Sequence, residues 1–407
     1  MPPVTSKSSI TVVSSILCNT FVSLPIRPLF WRVVVGTIVC LALLPGPVQF
    51  LAEGSVRADE IFLKIPRSEK DNQGRVKSIG SLKGRVTAEN MNANEVTYTF
   101  GNNKSDVIST NEILGISFDE EPTEFQAIRD KYTHGDYRSA YGDLQEYIAK
   151  NPMPAFRSDL VKQEFDFMAA YLPAMLVIQG SPPDNFPANK AAGDLFRFLN
   201  ANKNYYQYYQ VAEAIGDLSL LTEAPNRLEN AYKFYNYLAA SPLKEHKIRA
   251  ELLKARGALR ENKFDEAVRL LAPLASQTPD SPALISLLQQ AKVAFAVAQA
   301  GQGKADDALK QLEKIIADTS ASDAETHARA NVALGNIYLA KDQKYDALLS
   351  FLKVDLVFNQ NPDLQAEALE KLSKLWRAVP NAKGDRAAEA KERLQNLYPA
   401  SRWNKSA

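Results

Sequence analysis

Cysteine and histidine are both scarce in this chain of 407 residues. Its two cysteines, Cys18 and Cys40, precede residue 58, so the rest of the chain has no disulfide, thiolate nucleophile or cysteine-ligated zinc. Its three histidines, His134, His246 and His327, lie far apart and form no HExxH motif. We therefore predict no metal and no cofactor, and we expect the histidines to be exposed or to cap helices.

The motifs of common catalytic sites are missing as well. The sequence has no GxSxG elbow, no P-loop and no GxGxxG turn. Carboxylates are plentiful, but most fall in turns or at helix starts, where negative charge suits the helix dipole. No two of them stand out as a glycosidase pair, although such a pair is compatible with the sequence. We predict a protein that is not an enzyme and has no catalytic residues.

Excess charge of either sign is missing too. The chain has 48 Lys and Arg against 47 Asp and Glu. Residues 1–58 contain four of the basic residues and one acidic residue, so 44 basic and 46 acidic residues remain after them. A nearly neutral chain gives no electrostatic reason to expect nucleic-acid binding.

The first 58 residues have the pattern of an export signal. Arg27 and Arg32 precede an apolar run, Val33 to Leu44, and Val56-Arg57-Ala58 provides a small residue before a cleavage point. The run is short for a transmembrane helix, which needs about 20 residues. We predict cleavage after Ala58 and a periplasmic or secreted protein. The alternative is an uncleaved anchor, and membrane contact is expected only through this segment.

Residues 59–120 alternate between apolar and polar side chains, which is typical of strands. Five short strands are predicted, at 61–65, 83–87, 95–100, 106–108 and 113–118. Turn-forming residues such as Asn72-Gln73-Gly74 separate them. This number of strands predicts a small, partly closed SH3-like or Sm-like barrel. Aromatic and basic residues do not alternate as an RNA-binding sheet requires, so an adaptor or packing module is favoured.

From Pro122 onwards the apolar period becomes helical, and helices alternate with short breaks. Such alternation predicts stacked antiparallel helix pairs. Each pair has a small residue in its second helix, where close packing against the first helix leaves little room. These residues are predicted to be Ala140, Ala192, Ala231, Ala267, Ala308, Ala347 and Ala388.

Four segments resemble tetratricopeptide (TPR) repeats. They are His134-Gly135-Asp136-Tyr137-Arg138-Ser139-Ala140, Asn262-Lys263-Phe264-Asp265-Glu266-Ala267, Gly303-Lys304-Ala305-Asp306-Asp307-Ala308, and Leu334-Gly335-Asn336-Ile337-Tyr338 with Ala347 and Phe351. The resemblance implies a mainly α, TPR-like helical-hairpin solenoid of about seven helix pairs over residues 121–407. The repeat is near 40 residues, longer than the usual 34.

In TPR proteins the first helices of successive pairs line a concave groove. The resemblance therefore implies that Arg249, Arg256 and Arg260 face this groove, together with Arg329 and Asn336 of a later pair. Spacings of seven and four place the first three on one stripe of a helix. These side chains could bind an acidic or extended peptide through charge-assisted hydrogen bonds. The alternative is an ordinary solvated helix face.

A run of four tyrosines is the second candidate for partner binding. Tyr205, Tyr206, Tyr208 and Tyr209 lie within five residues, so on a helix they cover more than one face. Exposed tyrosines would give a rigid amphipathic surface for a protein or a sugar. The alternative is aromatic packing between two long helices, with some hydroxyls in water.

Three hypotheses for the function follow. The favoured one is an exported, non-catalytic TPR-like scaffold or adaptor that binds a protein or peptide of unknown identity in the cell envelope. The second is an enzyme or glycan-processing protein on a helical toroid, which a buried acidic pair with perturbed pKa values would favour. The third is a self-assembling structural protein of the envelope.

Overall fold

The computed structural model describes residues 58–70, 76–379 and 384–405. All elements below belong to one compact unit, Ser55–Ala407. The predicted export signal, apart from Ala58, lies outside the described residues, and so does the predicted turn at Asn72-Gln73-Gly74. The first described strand begins at Asp59, one residue after the predicted cleavage point.

The β module consists of five strands and two 3-10 turns. The strands are β1 (Asp59–Lys70), β2 (Val76–Gly84), β3 (Glu95–Phe100), β4 (Lys104–Ser109) and β5 (Ile113–Ser117), and the 3-10 turns are Ala88–Asn90 and Thr110–Glu112. Strand β1 pairs antiparallel with β2 on one side and with β5 on the other, while β3 pairs with β4. A single bridge between Arg85 and Thr99 connects the two sheets. The strand orders are β2-β1-β5 in the larger sheet and β3-β4 in the smaller one.

The second strand was predicted in the wrong place. It covers Val76–Gly84 rather than residues 83–87, and it pairs with both ends of β1 around a bulge. Most of its side chains are exposed, so it lacks the alternation of apolar and polar residues by which a half-buried strand is recognised. Its position follows from backbone pairing with β1, which the local pattern does not encode.

Fifteen α-helices follow in the described residues. They are α1 (Thr123–Thr133), α2 (Tyr137–Lys150), α3 (Asp159–Ile178), α4 (Ala188–Ala201), α5 (Tyr208–Leu221), α6 (Arg227–Ala239), α7 (Lys244–Arg260), α8 (Phe264–Ala275), α9 (Pro282–Gly301), α10 (Ala305–Asp318), α11 (Ala324–Ala340), α12 (Lys344–Leu356), α13 (Pro362–Ala378), α14 (Gly384–Leu397) and α15 (Arg402–Lys405). Helices α1 to α14 pack as seven consecutive hairpins. The expected mainly α fold, a TPR-like repeat after a small β module, is confirmed.

A fully buried alanine marks the second helix of every hairpin. These alanines are Ala140, Ala191, Ala231, Ala267, Ala308, Ala347 and Ala387, all with no exposed surface. Two of the predicted positions were wrong by one residue, because Ala192 is only half-buried and Ala388 is exposed. In each of these helices the preceding alanine lies on the stripe that faces the hairpin core, as the burial of Leu195 and Leu394 shows.

Four hairpins have the same backbone conformation in the turn between their helices. The residue five positions before the packing alanine adopts a left-handed conformation, with φ of 84° at Gly135, 55° at Asn262, 89° at Gly303 and 57° at Asp342. Such a residue ends the first helix and reverses the chain, and glycine, asparagine and aspartate tolerate it best. The second helix begins two residues later in each case.

The second helix of each hairpin packs against the first helix of the next, and several first helices also touch one another. Helices α3 and α5, α7 and α9, α9 and α11, and α11 and α13 touch one another. Helix α9, Pro282–Gly301, is also long and apolar enough to cross a membrane by composition, but half of that window is buried inside the protein. That burial is what a central helix of a stacked repeat requires.

Candidate partner-binding face

Polar side chains connect the first helices of successive hairpins. Glu213 of α5 forms a two-pronged ion pair with Arg249 of α7. The interactions continue along the repeat, since Arg256 of α7 donates to the Gln290 amide oxygen of α9 at 2.7 Å, and Asn336 of α11 donates to Glu367 of α13 at 2.7 Å. We call these residues, with Glu325 and Arg329 of α11, the inner row: Glu213, Arg249, Arg256, Gln290, Glu325, Arg329, Asn336 and Glu367.

Part of the inner row is in contact with water, whereas Gln290 and Glu367 are buried. The Arg249 side chain is 41% exposed and that of Glu325 is 34% exposed, so this face is a surface rather than a core. Glu325 belongs to a helix two hairpins beyond α7, yet its charge acts on both Arg249 and Arg256. Glu325 is therefore close enough to α7 for its charge to act across the intervening hairpin.

Arg256 is the least neutralised cation of the inner row. Burial between the helices and the like charge of Arg329 lower its pKa well below its usual value. Among the described residues no carboxylate is ion-paired with Arg256, and the neutral Gln290 amide is its hydrogen-bond partner. Arg329, by contrast, is paired with Glu325 at 2.5 Å. The guanidinium of Arg256 therefore retains donors for an anion.

Arg260 lies one turn beyond Arg256, at the end of α7. Burial and the nearby Arg402 lower its pKa, while Asp363 at the start of α13 opposes this effect. No ion pair of Arg260 is formed within the part of the chain that the structure describes. Of the three arginines of α7, Arg249 is ion-paired with a carboxylate, whereas Arg256 and Arg260 have no carboxylate partner among the described residues.

The pKa values of two carboxylates of α5 are shifted in opposite directions. Burial alone would raise the pKa of Glu213, but Arg249 outweighs it, so this pKa is lowered. Burial and the adjacent Glu213 raise the pKa of Asp217 to about 7, although the Tyr235 hydroxyl donates to Asp217 at 2.7 Å. Glu213 is therefore charged at neutral pH, while Asp217 is close to its midpoint.

The β module contributes to one end of this face. Burial and Arg249 lower the pKa of Lys64, which lies in the irregular part of β1. Burial and Lys64 in turn lower the pKa of His246 to about 4, so this imidazole is uncharged at neutral pH. Strand β1 thus places a cation beside the ion pair that begins the inner row.

The expectation that Tyr205 and Tyr206 offer an exposed contact surface is wrong. Both are buried, and they precede α5 instead of lying on its surface. The Tyr205 hydroxyl donates to the buried Glu164 carboxylate at 2.5 Å, and the Tyr206 hydroxyl accepts from the Ile116 amide of β5 at 3.3 Å. With their hydroxyls bonded in this way, the two rings fill the junction between the β module and the helices.

Tyr208 and Tyr209 are partly buried. The Tyr209 hydroxyl donates to the Asn94 side chain at 2.8 Å, and its ring lies 4.5 Å from the His246 ring. The Tyr208 ring packs against Tyr209 and Tyr237. Tyr208 and Tyr209 thus pack against other aromatic side chains, as the alternative interpretation predicted. Tyr209 also bonds α5 to the β module through Asn94.

The buried network around Glu164 was missed by the sequence reasoning. Arg129 of α1 is 1% exposed, pairs with Glu121 through two bonds of 2.7 Å, and reaches Glu164 at 3.3 Å. Tyr132 also donates to Glu164. The sequence does contain a signal for this network, because Arg129 lies next to Ile128 on the apolar stripe of α1, where a charged residue needs a buried partner.

The histidines are scattered, but one prediction about them was wrong. His134 is exposed, whereas His327 is 7% exposed, and its ring stacks on Phe358 at 4.8 Å. His327 is bonded through Nε2 to the Ser320 carbonyl at 3.1 Å, which allows its burial. In the described ranges no cluster of His, Cys, Asp and Glu has the arrangement of a metal site.

Comparison with known proteins finds matches among solved structures. No family model matches the chain, and no curated protein matches it. A solved structure that resembles it is the crystal structure of PilW, a widely conserved type IV pilus biogenesis factor. The match covers 70% of this chain and 96% of PilW, at 17% identity and a TM-score of 0.30. This likeness is too distant to transfer the role of PilW to this chain.

Proposed function

We propose that this protein is a non-catalytic, exported scaffold that holds an acidic or extended segment of a partner protein on the inner row. The observation that carries the proposal is that Arg256 has a partly desolvated guanidinium and no carboxylate partner among the described residues. A cation in this state binds an incoming carboxylate more strongly than a hydrated surface arginine does, because much of its desolvation cost is already met.

Specificity for a chain-like ligand follows from the layout of the row. Hydrogen-bonding groups recur on successive first helices, including the Gln290 amide and the Asn336 amide beyond Arg256. Such a series suits an extended segment that offers a carboxylate and then backbone groups. The row contains both cations and carboxylates, which gives no reason to expect nucleic acid.

Export is part of the proposal because of the sequence before Asp59. The basic, apolar and small-residue order of that segment supports secretion, and the chain after it has no cysteine. Fractionation of cells that express the full chain tests this part. A protein that stays in the cytoplasm at full length would contradict it.

Peptide binding is tested with the purified full chain and a fluorescent glutamate-rich peptide. Arg256→Gln is expected to weaken binding by about 10- to 100-fold, the usual value of a hydrogen bond to a charged group. Arg269→Gln is the matched control, because Arg269 is exposed on α8 and the change removes the same charge. Equal affinity of both variants, or no binding by the unchanged protein, would contradict the proposal.

An enzyme on a helical toroid remains the second candidate because of Asp217. Its pKa of about 7 is suited to a general acid or base, and Glu213 lies four residues away on the same helix. However, Glu213 is engaged by Arg249, and Asp217 accepts from Tyr235. Release of reducing sugar from an envelope glycan preparation, abolished by Asp217→Asn, would favour this candidate over the scaffold.

A further inference from the structure

The end of the chain touches the second hairpin, more than 200 residues away. The Ala400 amide donates to the Gly180 carbonyl at 2.9 Å, and the Ser181 hydroxyl donates to the Leu397 carbonyl at 2.6 Å. Gly180 and Ser181 connect α3 to α4, while Leu397 ends α14. The last hairpin is therefore bonded directly to the second, although four hairpins separate them along the repeat.

The contact is closely packed but small. A Cβ at Gly180 would lie 2.9 Å from both the Cα and the backbone nitrogen of Ser401, and the side chains of Ser181 and Ser401 are buried. The surrounding apolar side chains belong to two separate clusters, one with Ile178 and one with Tyr398. No shared apolar core joins the two sides within the described residues, so the contact depends on a few polar bonds.

The terminal segment is attached firmly to its own hairpin. Arg402 forms an ion pair with Asp363 at the start of α13 at 3.1 Å, and the Trp403 indole donates to the same carboxylate at 3.0 Å. The segment is therefore held by the last hairpin, and its contact with Gly180 and Ser181 has fewer stabilising interactions.

We propose that residues 397–405 form a clasp that closes the helical repeat on itself and limits access to the inner row. When the clasp is closed, a segment of chain enters only along the axis of the closed repeat. When the two bonds to the α3–α4 connection break, a gap opens at the side. Few buried apolar contacts and few bonds are the features of regions that open locally. Control of entry by a partner rests on the proposed function, whereas the closure does not.

The chain offers a matched test of closure. Gly180, Gly135 and Gly303 all have positive φ, at 75°, 84° and 89°, so alanine strains the backbone at each of them. Only Gly180 has neighbours that a Cβ would meet, since nothing lies within 4 Å of a Cβ at Gly135 or Gly303. Comparing the three variants separates clasp opening from the strain itself.

Hydrogen exchange of the ligand-free full chain reports closure. We expect the Ala400 amide, which donates to the Gly180 carbonyl across the clasp, to be protected in the unchanged protein and to exchange at least about tenfold faster in Gly180→Ala, equivalent to about 1.4 kcal/mol. Ser181→Ala should give a smaller increase, and Gly135→Ala and Gly303→Ala should give none. Small-angle scattering should show a larger maximum dimension for Gly180→Ala. Identical exchange in all three glycine variants would overturn the clasp.

Labelling of the inner face reports access without any partner. In a chain with Cys18→Ser, Cys40→Ser and Asn336→Cys, a small maleimide and a bulky polyethylene-glycol maleimide are compared. We expect the small reagent to react equally with and without Gly180→Ala, and the bulky reagent to react faster when Gly180→Ala opens the clasp. Equal rates of the bulky reagent would overturn control of entry. Because neither readout uses an acidic peptide, failure of peptide binding is a separate result.

Discussion

The Tyr205 hydroxyl donates to the Glu164 carboxylate, 41 residues earlier in the chain, and both side chains are fully buried. A conspicuous aromatic run thus turns out to hold the molecule together instead of facing a partner. Glu164 is surrounded by Arg129 and by hydroxyls of Tyr132, Tyr205 and Tyr206. Helices α1 and α3, the start of α5 and, through Tyr206, strand β5 therefore depend on one carboxylate.

Removing the Tyr205 hydroxyl tests this network. Tyr205→Phe should lower the free energy of unfolding by about 1.5–3 kcal/mol, because the donor to a buried carboxylate is lost. Tyr208→Phe is the control, since its hydroxyl has no hydrogen bond among the described residues, and its effect should stay within about 0.5 kcal/mol. Urea unfolding of both variants measures the difference. Equal effects would show that Glu164 does not depend on Tyr205.

Arg129 is predicted to be more critical than any tyrosine. Arg129→Met should cost about 3–5 kcal/mol, because it leaves the Glu164 carboxylate buried without a counter-charge. Arg138→Met on α2 serves as control, since that side chain is exposed. Thermal unfolding would reveal the loss. A melting temperature as high as that of the control would mean that Glu164 is protonated in the folded protein.

How far the fold follows from the sequence depends on the range of the interaction. The left-handed residue and the alanine five positions later are local, so Asn262 and Ala267 were recognisable. The burial of Tyr206 was not, because its partner Ile116 lies 90 residues away in another module. The resemblance to TPR repeats implied that Arg256 faces the groove, but its lack of a carboxylate partner among the described residues depends on the neighbouring hairpins, so only the structure shows it.

Gly335 shows how the repeat signature translates into packing. A Cβ at Gly335 of α11 would lie 2.6 Å from the Phe351 ring of α12, so Gly335→Ala should cost about 1–3 kcal/mol through overpacking. Gly142→Ala in α2 meets nothing within 4 Å and should stabilise the helix by about 0.5–1 kcal/mol. Denaturant unfolding should therefore shift in opposite directions. A stabilising effect at both positions would contradict this, because it would mean that the Phe351 ring moves aside at no cost in stability.

The two acidic residues of α5 should respond to pH in opposite ways. The pKa of Asp217 is raised from 3.8 to about 7, so between these values the folded protein holds a proton that the unfolded chain has lost. Its contribution to stability is complete at low pH and is lost as pH rises through that window, by at most about 1.4 kcal/mol per pH unit. Asp217→Asn should therefore gain stability relative to the unchanged protein as pH rises from about 4 to about 7.

Glu213 provides the opposite sign in the same experiment. Arg249 outweighs burial and lowers its pKa below 4.5, so its contribution is present above that value and is lost as pH falls through the folded pKa. Glu213→Gln should be most destabilising near pH 7 and nearly neutral in acid. Unfolding free energies of both variants across pH measure the two slopes. Parallel slopes would mean that the carboxylates titrate as one group and that Arg249 does not separate them.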